Sequence, residues 1–248
     1  MHSGQILWHI FDQPTLAMKH AAQRHRTWWI AALFFLLCTV IFTWASAPLA
    51  VERANAQATQ MIEHLSNRPT PRVPMRGLGT AMRRQPQTMT IQRYWISSVG
   101  VGFVLALLGW TIRAALIHFS SAALRGESQW AKTFAVTVWS SIPFGVQKLT
   151  QALYISINHQ LIEHQGFSFL VSSGNWLRDS RNILYALLSN IDLFSLWYIV
   201  LWSIGISAAT KVSRKKGLLL AILAWALLLG LRLIPVAISA AFIGKALG

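Results

Sequence analysis

Few residues in this chain could do chemistry, and they are widely spaced. Seven Asp and Glu are spread over 248 residues, so the pattern lacks the paired carboxylates that acid–base catalysis needs. The single cysteine, Cys38, lies in an apolar run without a neighbouring base, and no G-x-S-x-G segment marks a serine nucleophile. One cysteine also rules out an intrachain disulfide and a cysteine-rich zinc site. The sequence therefore predicts no catalytic residues and no enzyme activity.

The only metal-like pattern is the segment HQLIEH, which begins at His159. Zinc proteases carry H-E-x-x-H or the inverse H-x-x-E-H, whereas three residues separate His159 from Glu163 here. These two side chains could share a helical face, but no third ligand is evident. Gly100 and Gly102 lie inside an apolar run, without the strand and turn that a phosphate-binding loop needs. We expect no metal or cofactor site, and we interpret the histidine segment as an exposed loop helix.

Ionisable residues within or beside apolar runs are the remaining chemical signal. Lys148, Asp192 and Arg232 are each costly in a membrane unless paired or hydrated. With a rise of about 1.5 Å per residue, all three fall in the outer third of a bilayer. We predict a polar cluster in which Asp192 pairs with Arg232, beside Lys148 or its neighbouring glutamines; independent snorkelling to the interface is the alternative. Snorkelling to the interface is also enough to explain Arg113, which lies near the cytoplasmic end of the apolar run at 94–117.

The composition places these residues in a membrane protein. Hydrophobic residues make up 54% and charged residues 12%, about half the charged share of a soluble domain. This composition excludes intrinsic disorder and a secreted disulfide scaffold. The net charge of +15 usually suggests nucleic acid. Because long apolar runs accompany it, we instead expect anionic lipid as the partner, or control of topology, and no nucleic acid.

Five apolar stretches approach the 20 residues that a helix needs to cross a bilayer. Because they are continuous and do not alternate, they predict helices rather than barrel strands. The first ends in a motif that resembles a signal-peptidase site, but its polar lead-in is long for a signal peptide. The predicted fold is all-α, a polytopic bundle with five spans. The spans lie at about 27–50, 94–117, 133–157 (with Pro143 in its middle), 191–209 and 217–243. Pro143 and Pro235 are predicted to kink or locally open the third and fifth helices.

Lysine and arginine in short loops predict the orientation of the bundle. Basic residues concentrate in the N-terminal arm, between spans two and three, and between spans four and five. We therefore place the N-terminus in the cytoplasm and the C-terminus outside. The densest of these basic groups contains no acidic residue. It is the predicted cytoplasmic basic loop, which consists of Lys211, Arg214, Lys215 and Lys216.

Residues 51–93 conflict with this orientation, because they would lie outside and yet carry many arginines. The part at 67–87 also holds four prolines and two glycines, so no regular element is predicted there. A solvated linker is one interpretation, and a contact surface for an acidic partner or outer-leaflet anionic lipid is the other. The candidate basic surface consists of Arg68, Arg72, Arg76, Arg83 and Arg84.

Residues 1–26 predict a cytoplasmic amphipathic and basic arm. Ile6, Leu7, Ile10 and Phe11 follow helical spacing, and Pro14 ends that stretch. The arm could lie on the membrane surface with its basic residues on anionic headgroups, or it could be a flexible tail. The domain division is therefore this arm, the first span, the 51–93 loop, and a four-helix membrane domain at 94–248.

The last two spans contain a sequence motif that resembles that of a known protein family. Residues 190–197 read NIDLFSLW, followed by Gly205, a basic loop from Lys211 and a long apolar helix. Gly126 precedes the third span, which contains SIP at 141–143. The stretch from 94 to 243 resembles the Yip1-domain family of five-span membrane proteins.

The resemblance implies a non-enzymatic membrane protein. Eukaryotic members of this family bind small GTPases in vesicle traffic, whereas some bacterial members accompany ABC exporters of the macrolide-efflux type. Because the N-terminal arm is too short for a sizeable GTPase-binding domain, we favour the bacterial type, in the inner membrane.

The function that we expect is an accessory or adaptor subunit that packs against the permease of an ABC-type exporter. Its partners would be other membrane subunits and anionic lipids. A small transporter or channel is the first alternative, for which Lys148, Asp192 and Arg232 could line a path. A lipid-organising protein is the other, supported by the basic arms alone. A membrane enzyme acting on lipid would need an acid–base cluster or a metal site, and the sequence offers neither.

Overall fold

The computed structural model describes residues 3–66 and 88–246, and all regular elements in these ranges are helices. The N-terminal part has two short helices, a 3-10 turn at His25–Thr27, and one long helix. These helices are α1 Ser3–Asp12, α2 Pro14–Gln23 and α3 Trp28–Ser66. The predicted all-α fold is confirmed for the described residues.

The second part of the structure begins with the long helix α4, Ile91–Ala123, which contains a π-helical turn at Ile96–Val101. A loop of short elements then separates two pairs of helices. A 3-10 turn lies at Ser168–Val171. The remaining α-helices are α5 Trp130–Ser140, α6 Ile142–Asn158, α7 Trp176–Asp179, α8 Ile183–Leu188, α9 Leu193–Thr210 and α10 Arg214–Ala246.

Four helices are long and apolar enough to cross a membrane, where the sequence predicted five. They are the stretches His25–Gln60, Ile91–Ala123, Leu193–Thr210 and Arg214–Ser239. The predicted third span is instead divided into α5 and α6. Ser141 adopts φ −79° and ψ 0° at the junction, and its amide donates to the carbonyl of Val138 (3.0 Å). Pro143 lacks an amide hydrogen and therefore suits the first turn of α6, where the sequence predicted a kink.

The core of the bundle is formed where α5 packs antiparallel to α9. Trp139, Tyr198 and Trp202 are almost completely buried there. The indole Nε1 of Trp202 donates a hydrogen bond to Thr137 Oγ1 (3.2 Å). Since an indole N–H usually has a partner when buried, this bond fixes the relative height of the two helices.

The N-terminal arm packs into this core, which neither of our sequence interpretations anticipated. Ile6, Ile10 and Met18 are buried at 0–1% exposure. Met18 lies in α2 beside Gly205 of α9, where the Met sulfur is 3.4 Å from the position that a Cβ would take. The arm is therefore one layer of the bundle and neither a separate surface helix nor a tail.

Residues 51–66 continue the first span as a helix, so α3 extends well beyond a bilayer's apolar thickness. The Asn55 side chain both donates to the carbonyl of Met89 (3.2 Å) and accepts from its amide (2.7 Å), which holds the start of α4 against α3. The candidate basic surface lies outside the described residues. It comprises Arg68, Arg72, Arg76, Arg83 and Arg84.

Candidate functional site

A polar cavity of about 560 Å³ lies inside the bundle, between α3, α4, α6, α9 and α10. Its volume is in the range typical of small-molecule sites. The described residues that line it include three cations, Arg113, Lys148 and Arg232, and one carboxylate, Asp192. The three residues of the predicted polar cluster thus share one cavity, together with an arginine that sequence reasoning had assigned to snorkelling.

Asp192 is fully engaged at the start of α9. Its Oδ1 accepts from the amide of Ser195 (2.7 Å), and its own amide donates to Ser195 Oγ (2.9 Å), which forms a capping box. Its Oδ2 accepts from Gln147 Nε2 (2.5 Å) on α6. One side chain therefore begins α9 and ties it to α6.

The described residues contain no ion pair between Asp192 and Arg232, although both line the cavity. Arg232 Nη1 instead donates to Asn190 Oδ1, at 3.4 Å. In place of the predicted direct pair, the carboxylate of Asp192 accepts from the Ser195 amide and from Gln147. Sequence spacing predicted a shared depth but could not reveal these competing partners.

Aromatic rings hold the other two cations. Lys148 Nζ lies 5.1 Å from the ring centre of Phe42 and 5.7 Å from that of Phe35, both on α3. The guanidinium carbon of Arg113 lies 5.9 Å from the ring centre of Tyr198. Ring faces attract cations but accept no strong hydrogen bond, so the N–H donors of these groups remain available.

Tyr198 is a wall residue that sequence reasoning missed. It is 1% exposed and stacks between Phe144 (4.9 Å) and Trp202 (5.3 Å). Its hydroxyl has no hydrogen-bond partner in the structure, which is uncommon for a buried polar atom. The only signal in the sequence was a tyrosine inside an apolar span.

The π-helical turn of α4 lies next to the cavity, since Gly102, the residue that follows it, contributes to the wall. A π-helical turn inserts one residue and shifts the helical face, and such turns are frequent at functional sites. No sequence pattern in the 94–117 run predicted it.

The basic loop at 211–216 is a separate feature at one end of the bundle. Lys211 adopts the left-handed conformation (φ 58°) that ends α9, and its ammonium group pairs with Glu127. The hydrogen bond and charge of Lys211 lower the pKa of Glu127. Arg214, Lys215 and Lys216 are exposed at the start of α10.

The histidine segment after α6 is a loop, which corrects the predicted loop helix. His159 ends α6 in the left-handed conformation (φ 50°), so the helix does not continue through Glu163. His164 Nδ1 lies within hydrogen-bond distance of the Tyr185 hydroxyl (3.2 Å). Within residues 3–66 and 88–246, no three His, Cys, Asp or Glu side chains converge on a potential metal site.

Comparison with known proteins extends the family resemblance beyond the stretch that the sequence motifs covered. The sequence profile of the Yip1 domain matches residues 8–234, from α1 to the second half of α10. It therefore includes most of the arm that packs against α9. Neither the curated proteins nor the solved structures give a significant match. The chain belongs to the Yip1 family and is a multi-pass membrane protein.

Proposed function

We propose that this protein is a non-enzymatic accessory subunit that packs laterally against the permease of an ABC-type exporter. The observation that carries the proposal is the outer surface of α4. Only 17% of its most apolar 18 residues are buried, against 44% for α9. Its large exposed side chains are apolar and include Ile96, Val101, Val104, Leu108 and Ile112.

Gly100 lies on this surface, and a Cβ at that position would have no neighbour within 4 Å. A small residue lets the backbone of a second membrane helix approach closely, which favours packing in lipid. The choice of an ABC permease as the partner is supported by the resemblance to bacterial members of the family. We further propose a bacterial inner-membrane location.

Purification of the tagged full chain from its native host in mild detergent tests this role. We expect the wild-type protein to co-purify with a permease and an ATPase subunit. Gly100→Leu should reduce their recovery several-fold, because the new side chain holds the partner helix away. Gly230→Leu is the matched control, since a Cβ at Gly230 also has no neighbour within 4 Å and lies on α10. Monodisperse wild-type protein without those subunits would refute the proposal.

A second candidate function, a small anion transporter, is favoured by the cation-lined cavity. Three cations against one carboxylate would attract anions and repel cations. Liposomes containing the purified chain alone should then show anion flux, which Arg232→Gln should reduce. Absence of flux in wild-type liposomes would eliminate this candidate and leave the accessory role unaffected.

We also propose that the basic loop at 211–216 is cytoplasmic and that α5 and α6 together make one crossing. The charge density of the loop supports the first statement. For the second, the 11 and 17 residues of the two helices would extend about 42 Å at 1.5 Å per residue, enough to cross a bilayer despite the break at Ser141. The N-terminal side of α3 would then face the cytoplasm and the end of α10 the outside.

A further inference from the structure

The cavity carries an uncompensated positive charge. Arg113, Lys148 and Arg232 contribute three positive charges and Asp192 one negative charge among the described residues that line it. An excess charge of this kind inside a low-dielectric bundle is expensive unless it is hydrated or paired. The guanidinium carbon of Arg113 lies 5.9 Å from the ring centre of Tyr198, and both residues line the cavity together with Arg232.

The neighbours of these cations do not satisfy their charge. Lys148 and Arg113 face aromatic rings, and Arg232 donates to a neutral amide oxygen at 3.4 Å. Asp192 supplies one negative charge against three positive ones, and its oxygens accept from Ser195 and Gln147, neither of which is a cation. A bound anion would supply the missing acceptors without disrupting any of these contacts.

The unpartnered hydroxyl of Tyr198 gives an independent indication of a ligand. Leaving a buried donor unsatisfied costs free energy, and such groups are rare in native structures. This hydroxyl belongs to a residue that lines the same cavity as the two arginines. Of the three cations, Arg113 lies against the Tyr198 ring, at 5.9 Å from its centre.

The cavity is also accessible from the side of the bundle. Leu105 on α4 is 58% exposed and lines the cavity, and Arg232 on α10 is exposed as well. These two exposed lining residues belong to α4 and α10, the two least buried of the four candidate spans. A headgroup could enter there while its acyl chains stay along the apolar surface of these helices.

We propose that this cavity binds a doubly charged phosphate group, held by Arg113, Lys148 and Arg232 with a hydrogen bond from Tyr198. A phosphate monoester or inorganic phosphate carries about 1.5 to 2 negative charges near neutral pH, which matches the excess of two; a carboxylate would neutralise half of it. Tetrahedral phosphate oxygens also fit the planar fork of arginine donors. The phosphate belongs either to a lipid headgroup, such as that of phosphatidic acid, or to a soluble compound.

Thermal unfolding of the purified full chain in detergent micelles tests this site with three probes: phosphatidic acid, phosphatidylcholine and inorganic phosphate. We expect a saturable stabilisation by phosphatidic acid or by inorganic phosphate, and none by phosphatidylcholine. Arg113→Gln and Arg232→Gln should each weaken binding at least tenfold. Lys215→Gln is the matched control, because it removes an exposed cation from the basic loop and should bind as the wild type does.

Tyr198→Phe keeps the ring stack and removes only the hydroxyl. One hydrogen bond to a charged group is worth about tenfold in affinity, so this variant should bind about tenfold more weakly while folding normally. Tyr198→Phe therefore tests the phosphate site even if an arginine variant does not fold.

The two sources of phosphate give different results. Stabilisation by phosphatidic acid without competition from inorganic phosphate identifies a lipid site, and competition identifies a site for soluble phosphate. Equal stabilisation by phosphatidylcholine, or unchanged binding in Arg232→Gln and Tyr198→Phe, would overturn the proposal. This site goes beyond the accessory role, since capture of a permease through α4 does not require any occupant of the cavity.

Discussion

At the residue scale, Asp192 joins two helices through three hydrogen bonds, two to its carboxylate and one from its backbone amide. It caps α9 through Ser195 and accepts from Gln147 on α6. Asp192→Ala should lower the free energy of unfolding by about 2 kcal/mol, because it removes the cap and leaves Gln147 without its acceptor. Leu193→Ala, at a 73% exposed neighbouring position, should change it little. Thermal or denaturant unfolding in detergent measures both variants.

The same geometry predicts the outcome of a charge exchange. Asp192 and Arg232 form no ion pair. The double variant Asp192→Arg/Arg232→Asp should therefore lose at least as much free energy of unfolding as the two single variants lose together. If the double variant recovers stability, the capping role is contradicted and a direct Asp192–Arg232 pair is supported.

Two glycines of α10 should respond to alanine in opposite ways. A Cβ at Gly217 would lie 2.8 Å from the backbone carbonyl oxygen of Ser203 on α9 and would also meet Ser207. Gly217→Ala should therefore destabilise the protein by about 1–3 kcal/mol. A Cβ at Gly230 meets nothing within 4 Å, so Gly230→Ala should be neutral or stabilise by up to about 1 kcal/mol through helix propensity. Equal effects in unfolding experiments would contradict the close contact between α9 and α10.

At the scale of the element, α2 is the helix whose role changed most between sequence and structure. Met18 is fully buried against α5 and α9, and Ser140 Oγ approaches its sulfur at 3.9 Å. Met18→Ala should cost about 2 kcal/mol of stability, because it leaves a cavity in a packed core. Leu16→Ala, in the same helix at 38% exposure, is the control and should cost little. Equally small losses of stability in Met18→Ala and Leu16→Ala would indicate that the arm lies on the membrane surface and not in the core.

The loop between α6 and α9 should respond to acid through Asp179. Its carboxylate accepts from the hydroxyl (2.7 Å) and amide (2.8 Å) of Ser173 and from the hydroxyl of Ser172 (2.8 Å). The Ser173 bonds are the main cause of a lowered pKa for Asp179. This stabilisation is complete above the unfolded-state pKa of about 4 and is lost as the pH falls through the lower folded-state pKa.

Hydrogen exchange at the Ser173 amide measures this response. Protection corrected for intrinsic exchange should be constant near neutral pH and decrease below about pH 4. Asp179→Asn should remove the pH dependence. A wild-type loop that stays equally protected through this acid range would show that the carboxylate does not order it.

At the scale of the whole molecule, the orientation in the membrane can be tested with a single-cysteine series. Cys38 is buried, so a Cys38→Ser background allows new cysteines to be placed at will. A cysteine at the exposed Gln160 should react with an impermeant reagent from outside, and one at Lys215 should not, because they lie in loops at opposite ends of α9. External labelling of the Lys215→Cys protein would invert the proposed topology.

The sequence predicted those features that depend on local periodicity and hydropathy. Long apolar runs require helices in a membrane, because backbone groups there must be hydrogen-bonded within the segment. The interruption near Pro143 was predicted as a kink because proline cannot donate within a helix. The motif at Asp192 identified the family, although its chemical role is to cap α9.

Features that depend on which side chains meet across helices could not be predicted from spacing. Lys148, Asp192 and Arg232 line one cavity, but Asp192 bonds to Gln147 and Arg232 to Asn190, in place of the predicted pair. Arg113 lines the cavity because α4 packs against α9 and α10. No sequence pattern within α4 predicts that contact.

The sequence by itself determined that the chain is helical and membrane-embedded and that it belongs to a family with a recognisable final hairpin. Hydropathy and local hydrogen bonding, which act within one segment, are sufficient for these conclusions. Only the tertiary structure placed α2 in the core, left Tyr198 without a partner and gathered three cations around one occupied carboxylate. Those outcomes depend on contacts between residues far apart in the chain, where packing and competition for hydrogen bonds decide which groups meet.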